Sequence, residues 1–112
     1  MKQITELLLK RGIQKESTTE KHPLPGSNPF TETVFVGIIP NGKGKEVLRV
    51  SVLEDDNTTV VGIKSVSADG QSQLIIHTPS EVMAQPEILE KFLDHYKVQG
   101  IDITAKTKSI NG

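Results

Sequence analysis

The sequence predicts a single α+β domain: a four- to five-stranded antiparallel meander, a C-terminal helix packed on one face, and a short N-terminal helix. Three observations carry this expectation. Residues 33–77 hold four runs rich in Val, Ile, Leu and Thr, at 33–39, 45–53, 58–67 and 72–77. Between them lie short polar segments containing Asn41-Gly42, Asp55-Asp56-Asn57 and Asp69-Gly70, residues that tolerate the backbone angles of tight hairpins. Turns this short exclude a parallel crossover. Beyond the strands, Ile88, Leu89, Phe92, Leu93 and Tyr96 recur at the spacing of one helix face.

Taken in order, residues 1–13 read as an amphipathic helix with Ile4, Leu7, Leu8 and Arg11 on one side and Gly12 at its C-cap. The Leu7-Leu8-Leu9 run is too short for a signal peptide or a membrane span, so the expectation is a cytoplasmic protein without membrane contact. Residues 14–29 lose hydrophobic periodicity. With Pro23, Pro25 and Pro29 and a Ser17-Thr18-Thr19 run, they read as a linker or extended loop that tethers the first helix loosely. Residues 30–104 form the α+β core domain and 105–112 a flexible tail.

Within the core domain, the run at 45–53 places Leu48, Val50 and Val52 on one face and the mixed set Val47, Arg49, Ser51 and Leu53 on the other. The run at 33–39 is apolar on both sides, with Val34, Val36 and Ile38 opposed to Phe35 and Ile39. A sheet with one wet face alternates cleanly. The second face is therefore expected to be partly covered, by the N-terminal helix, by the Pro-rich loop or by another subunit. After the strands, Thr78-Pro79-Ser80-Glu81 fits a capping box, Pro86 divides the helical region, and the main helix spans 87–98 and ends at Gly100. Residues 101–104 offer a short final strand.

Composition narrows the chemistry. A chain of 112 residues is one domain with one core, and a net charge of −1 supplies no global field toward nucleic acid or acidic lipid. With no cysteine, disulfides, thiolate catalysis and Cys-ligated zinc are excluded. Aromatic residues are only 4% of the chain, which leaves few platforms for stacking single-stranded bases.

Candidate motifs weaken when placed on elements. Gly37, Gly42 and Lys43 have phosphate-loop spacing, but Gly44 replaces the hydroxyl residue that would hold magnesium, and a strand follows where a helix is required. His22, His77 and His95 lack the spacing of a helical zinc site. Ser80, His77 and Asp94 form a triple of the kind any such chain offers, with no nucleophile elbow. Glu54-Asp55-Asp56-Asn57 lacks the glycine and distal glutamate of a calcium loop and reads as a hairpin turn. Lys43, Lys45, Arg49 and Lys64 form a basic group able to meet phosphates.

The sequence therefore points to a small non-enzymatic protein-interaction module that uses no cofactor. It is expected to associate with a protein partner, its own copy in a homodimer, through Val47, Arg49, Ser51 and Leu53. The alternative is a nucleic-acid-binding accessory protein using Lys43, Lys45, Arg49 and Lys64. A small-ligand or hydrolytic domain built on His77 and Arg49 comes third.

Overall fold

A computed structural model describes residues 2–22, 24–26, 28–41, 44–67 and 73–100. The order of elements is α1 (Lys2–Lys10), β1 (Gln14–Lys21), β2 (Phe30–Asn41), β3 (Gly44–Glu54), β4 (Thr59–Ser67), β5 (Gln73–Ser80) and α2 (Pro86–His95). The five strands form one antiparallel sheet in sequence order, so the α+β meander is the fold.

Alternation decides which residues enter the core. Phe35 and Ile39 of β2, Leu48, Val50 and Val52 of β3, and Val61 and Ile63 of β4 point to one face and are buried. Against them α2 packs Leu89 and Leu93, and α1 packs Ile4 and Leu8. Both helices lie on this face, and Arg11 joins them by a 2.8 Å ion pair to Asp94. The expectation that α1 or the Pro-rich loop would cover the second face is overturned. That face has no described element over it.

Residues 14–21 are a strand, where the sequence suggested a linker. All eight side chains of β1 are exposed, so no hydrophobic period marks it. Its order comes from backbone pairing with β2, running from Gln14 opposite Val36 to Lys21 opposite Phe30, with one irregularity between Lys15 and Ser17. The Thr-rich composition suits a pleated edge. Consequently α1 is not loosely tethered; it is fixed at its C-terminal end by the sheet.

The two β hairpins with described turns or ends follow their sequence signals. β2 and β3 pair up to Asn41 and Gly44. Between β3 and β4 the Asp55 carboxylate accepts hydrogen bonds from the backbone N–H groups of Asn57 and Thr58, both at 2.8 Å. That Asx-turn closes the hairpin. Residues 68–72 and 101–112, which include the Asp69-Gly70 turn and the final strand expected at 101–104, lie outside the described residues.

The capping box does not form where it was expected. Thr78 and Pro79 continue β5, and Ser80 sits opposite Val61. The Ser80 hydroxyl instead accepts the Met83 N–H at 3.2 Å, opening a turn over residues 81–84. Helix α2 starts later, with Pro86 in its first turn and Gln85 as an N-cap that makes no side-chain bond. The proline there lacks an N–H that would have had no helical partner, and the Ile88 N–H bonds the Gln85 carbonyl at 3.1 Å.

Both helices end by the same device. In α1 the Ile13 N–H bonds the Leu8 carbonyl and the Gly12 N–H that of Leu9, each at 3.0 Å, with Gly12 at φ +80°. In α2 the Val98 N–H bonds the Leu93 carbonyl at 2.9 Å and the Lys97 N–H that of Asp94 at 3.2 Å, with Lys97 at φ 54°. Each pattern is a Schellman motif, and each carries its hydrophobic contact, Leu8 with Ile13 and Leu93 with Val98. The main helix thus ends at His95, short of the expected 98, because Lys97 adopts the left-handed conformation.

The two exits then converge on β2. Gln99 pairs with Ile38 through two reciprocal 2.8 Å backbone bonds. A β-carbon on Gly37 would come within 2.9 Å of the Gln99 carbonyl oxygen, 3.1 Å of Val98 Cγ1 and 3.2 Å of Ile13 Cγ1. One on Gly100 would fall on the Gly12 carbonyl. Gly37→Ala is therefore expected to destabilise the fold by about 1–3 kcal/mol through overpacking, read as a lower urea midpoint. Lys97→Gly is expected to act oppositely, raising stability by about 1 kcal/mol as left-handed strain is relieved. An unchanged midpoint in either variant would contradict the corresponding assignment.

Candidate functional site

The uncovered face of the sheet carries the side chains that alternate away from the core. Strand register arranges them in cross-strand rows. Ile38, Val47 and Val66 form one row, and Val36, Arg49, Lys64 and Ile76 the next. Val34, Ser51 and Gly62 follow, and then Glu32, Leu53 and Val60. The aliphatic members are half-buried by their neighbours, apart from Ile76, which is 61% exposed. The four residues expected at an interface, Val47, Arg49, Ser51 and Leu53, all lie here on β3.

The centre of the face is a shallow depression. Gly62 floors it, and Ser51, Leu53, Lys64, Ile76 and Pro79 surround it, enclosing about 280 Å³. The Pro79 ring packs against Gly62, where a β-carbon would come within 2.8 Å of Pro79 Cγ, and closes one side of the depression.

Charge on the face is ordered as well. Arg49 stands directly opposite Lys64 across β3 and β4. Like charges in facing positions repel, and each needs a carboxylate. Arg49 finds one in Glu16, 3.4 Å from its Nε. Among the described residues Lys64 has none within ion-pair distance. Glu32, two rows along, pairs with Lys21 at 3.7 Å. The basic pair and the acidic residue thus sit toward opposite ends of the aliphatic patch.

Of the proposed basic group, the structure brings Arg49 and Lys64 together; Lys43 and the side chain of Lys45 lie outside the described residues. The histidines do not assemble a metal site. His77 points to the helical side and meets Phe92 edge to face, with ring centres 5.2 Å apart. Phe92 contacts Tyr96, and Tyr96 contacts His95, each at 4.8 Å, so His77 and His95 end a chain of rings without touching. His22 lies 3.3 Å from Glu20. Among the described residues no cluster of three His, Asp or Glu side chains could hold a metal ion.

Three other combinations are not assembled. The Asp94 carboxylate is taken by Arg11 and the Ser80 hydroxyl by the Met83 N–H, so the Ser80, His77 and Asp94 triple has no common geometry. His77 and Arg49 project from opposite faces of the sheet, which prevents one site from using both. Gly37 lies within β2 opposite Leu48, in a strand and not in a phosphate-binding loop.

Sequence reasoning missed Glu16, Val60, Gly62 and Ile76 as members of the face. The alternation of Val60, Gly62, Lys64 and Val66 against Val61, Ile63 and Ser65 would have identified the β4 set. Glu16 gave no such signal, being 33 positions from Arg49 in a segment without periodicity. No described helix is long and apolar enough to cross a membrane.

Replacing one member of the like-charge pair tests the electrostatic assignment. Lys64→Glu is expected to stabilise the fold by up to about 1 kcal/mol at low ionic strength, with the gain shrinking as salt is added. A lower urea midpoint at low salt would show that the Arg49–Lys64 repulsion is not felt. No protein-family model, curated protein or solved structure matches this chain.

Proposed function

We propose that this chain is a small non-enzymatic protein-interaction module that works through the uncovered face of its sheet and self-associates there. The observation that carries the reading is that both helices occupy one face, leaving rows of aliphatic side chains on the other. Five strands spaced about 4.8 Å apart, with about eight residues each at about 3.4 Å, give a face on the order of 600 Å². That approaches the roughly 800 Å² per partner of a stable interface. A patch of this kind favours docking over permanent exposure.

Charge supports a second copy as the occupant. When one copy is turned end for end over another, the row of Arg49 and Lys64 comes over the partner's row of Glu32, Leu53 and Val60, with the row of Val34, Ser51 and Gly62 between them. Complementary charge at the rim sets orientation, while the aliphatic centre supplies the binding energy.

The Arg49–Lys64 pair also favours a second reading, a nucleic-acid-binding accessory protein that places these cations on phosphates. Its signature is binding of a single-stranded oligonucleotide that weakens steeply with salt and is lost in Arg49→Ala with Lys64→Ala.

The leading reading is tested by sedimentation velocity. The wild-type chain is expected above its 12.3 kDa monomer mass. Val36→Asp combined with Leu53→Asp is expected to lower the assembly's mass with an unchanged circular dichroism spectrum. A wild-type chain that remains monomeric up to about 1 mM, where even a −4 kcal/mol contact would be visible, overturns self-association.

A further inference from the structure

The two edges of the sheet are built differently. β1 carries Lys15, Glu16, Glu20 and Lys21 among its eight residues, the kind of charged edge that resists chance pairing. β5, with the sequence QLIIHTPS, carries no Lys, Arg, Asp or Glu. It is nevertheless open: Ile76, His77, Thr78 and Pro79 are exposed, and among the described residues its only strand neighbour is β4. Beside it on the helical face runs the ring chain of His77, Phe92, Tyr96 and His95. Phe92 and Tyr96 are half-buried, and no other described element covers them. An uncharged edge bordered by an aromatic shelf combines unpaired main-chain groups with an apolar seat for the side chains of an added strand.

We propose that β5 is a strand-addition site and that its occupant is β5 of a second copy, paired antiparallel about a two-fold axis normal to the sheet. This rests on the self-association reading above and deepens it. The chain's own strand suits the edge because it too is uncharged, so no like charges face each other across the new ladder. Pro79 has no N–H to donate, which confines the ladder to the residues before it. Joined this way, two sheets become one ten-stranded sheet, and the aromatic shelves of the two α2 helices flank the seam.

The geometry has a further consequence. The β5 axis is normal to the sheet, whereas an axis that lays uncovered face on uncovered face lies between the sheets and parallel to them. Two perpendicular two-fold axes close at four chains where they intersect and generate an open array where they miss each other, so the two contacts together build assemblies of more than two chains.

Sedimentation velocity on the full chain separates the two contacts. Wild type is expected as an assembly of more than two chains. His77→Lys, on the helical side of β5 and away from the uncovered face, is expected to leave the chains joined by the face alone, and Val36→Asp with Leu53→Asp to leave them joined by β5 alone. A variant carrying all three substitutions is expected to be a single chain. Hydrogen exchange on the wild type removes dependence on any variant's folding: amides of residues 73–78 are expected to slow roughly tenfold or more as concentration rises. If the assembly survives the β5 substitution unchanged, or if those amides exchange at one rate at all concentrations, the β5 contact is overturned and the face reading stands. A wild-type chain that is single at every concentration overturns both.

Discussion

The structure depends on a contact in which backbone meets backbone without a side chain between. Gly12, Gly37 and Gly100 lie where β2 passes the ends of both helices, and a β-carbon on Gly37 or Gly100 would enter space already held by neighbouring atoms. Because the α1 exit seats Ile13 against Gly37 and the α2 exit pairs Gln99 with Ile38, both helices are drawn to the same side of the sheet. One face is buried under Leu8, Leu89 and Leu93. The other is left uncovered, and the proposed interface follows from that placement.

Close packing at this junction depends on how each helix stops. A Schellman ending turns the chain sharply and places the next residue, Ile13 or Val98, back against the last turn in the core. Glycine adopts the required left-handed backbone freely at position 12; at position 97 a lysine is held there at a cost of about 1–2 kcal/mol. That cost is tolerated because Val98 is buried and Gln99 closes two backbone bonds with Ile38. The ion pair between Arg11 and Asp94 spans the same junction, but Asp94 is 62% exposed, so the pair contributes little beyond orientation.

Much of this architecture is legible in the sequence. Leu48, Val50 and Val52 alternate with a mixed set on β3, the Asp55 turn behaves as its composition demands, and the stripe of Leu89 and Leu93 identifies α2. β1 escaped because strand detection relies on burial, and a strand with eight exposed side chains has none. The helix start was misplaced because Thr78-Pro79-Ser80-Glu81 satisfies a local capping pattern, while pairing of β5 with β4 fixes those residues as strand. Of the uncovered face, the β3 residues were readable from alternation. The opposition of Arg49 to Lys64 and the hollow at Gly62 depend on register between strands, which local periodicity does not specify.

The uncovered face is proposed as the surface on which this chain meets its own copy. The most direct measurement is methyl NMR with a soluble paramagnetic probe, following Val34, Val36, Val47 and Val60 on that face against Val50 and Val52 in the core as concentration is raised. If the account holds, relaxation enhancement at the face valines falls with increasing concentration, while the core valines stay protected throughout. Face valines that remain equally accessible to the probe at every concentration would contradict it.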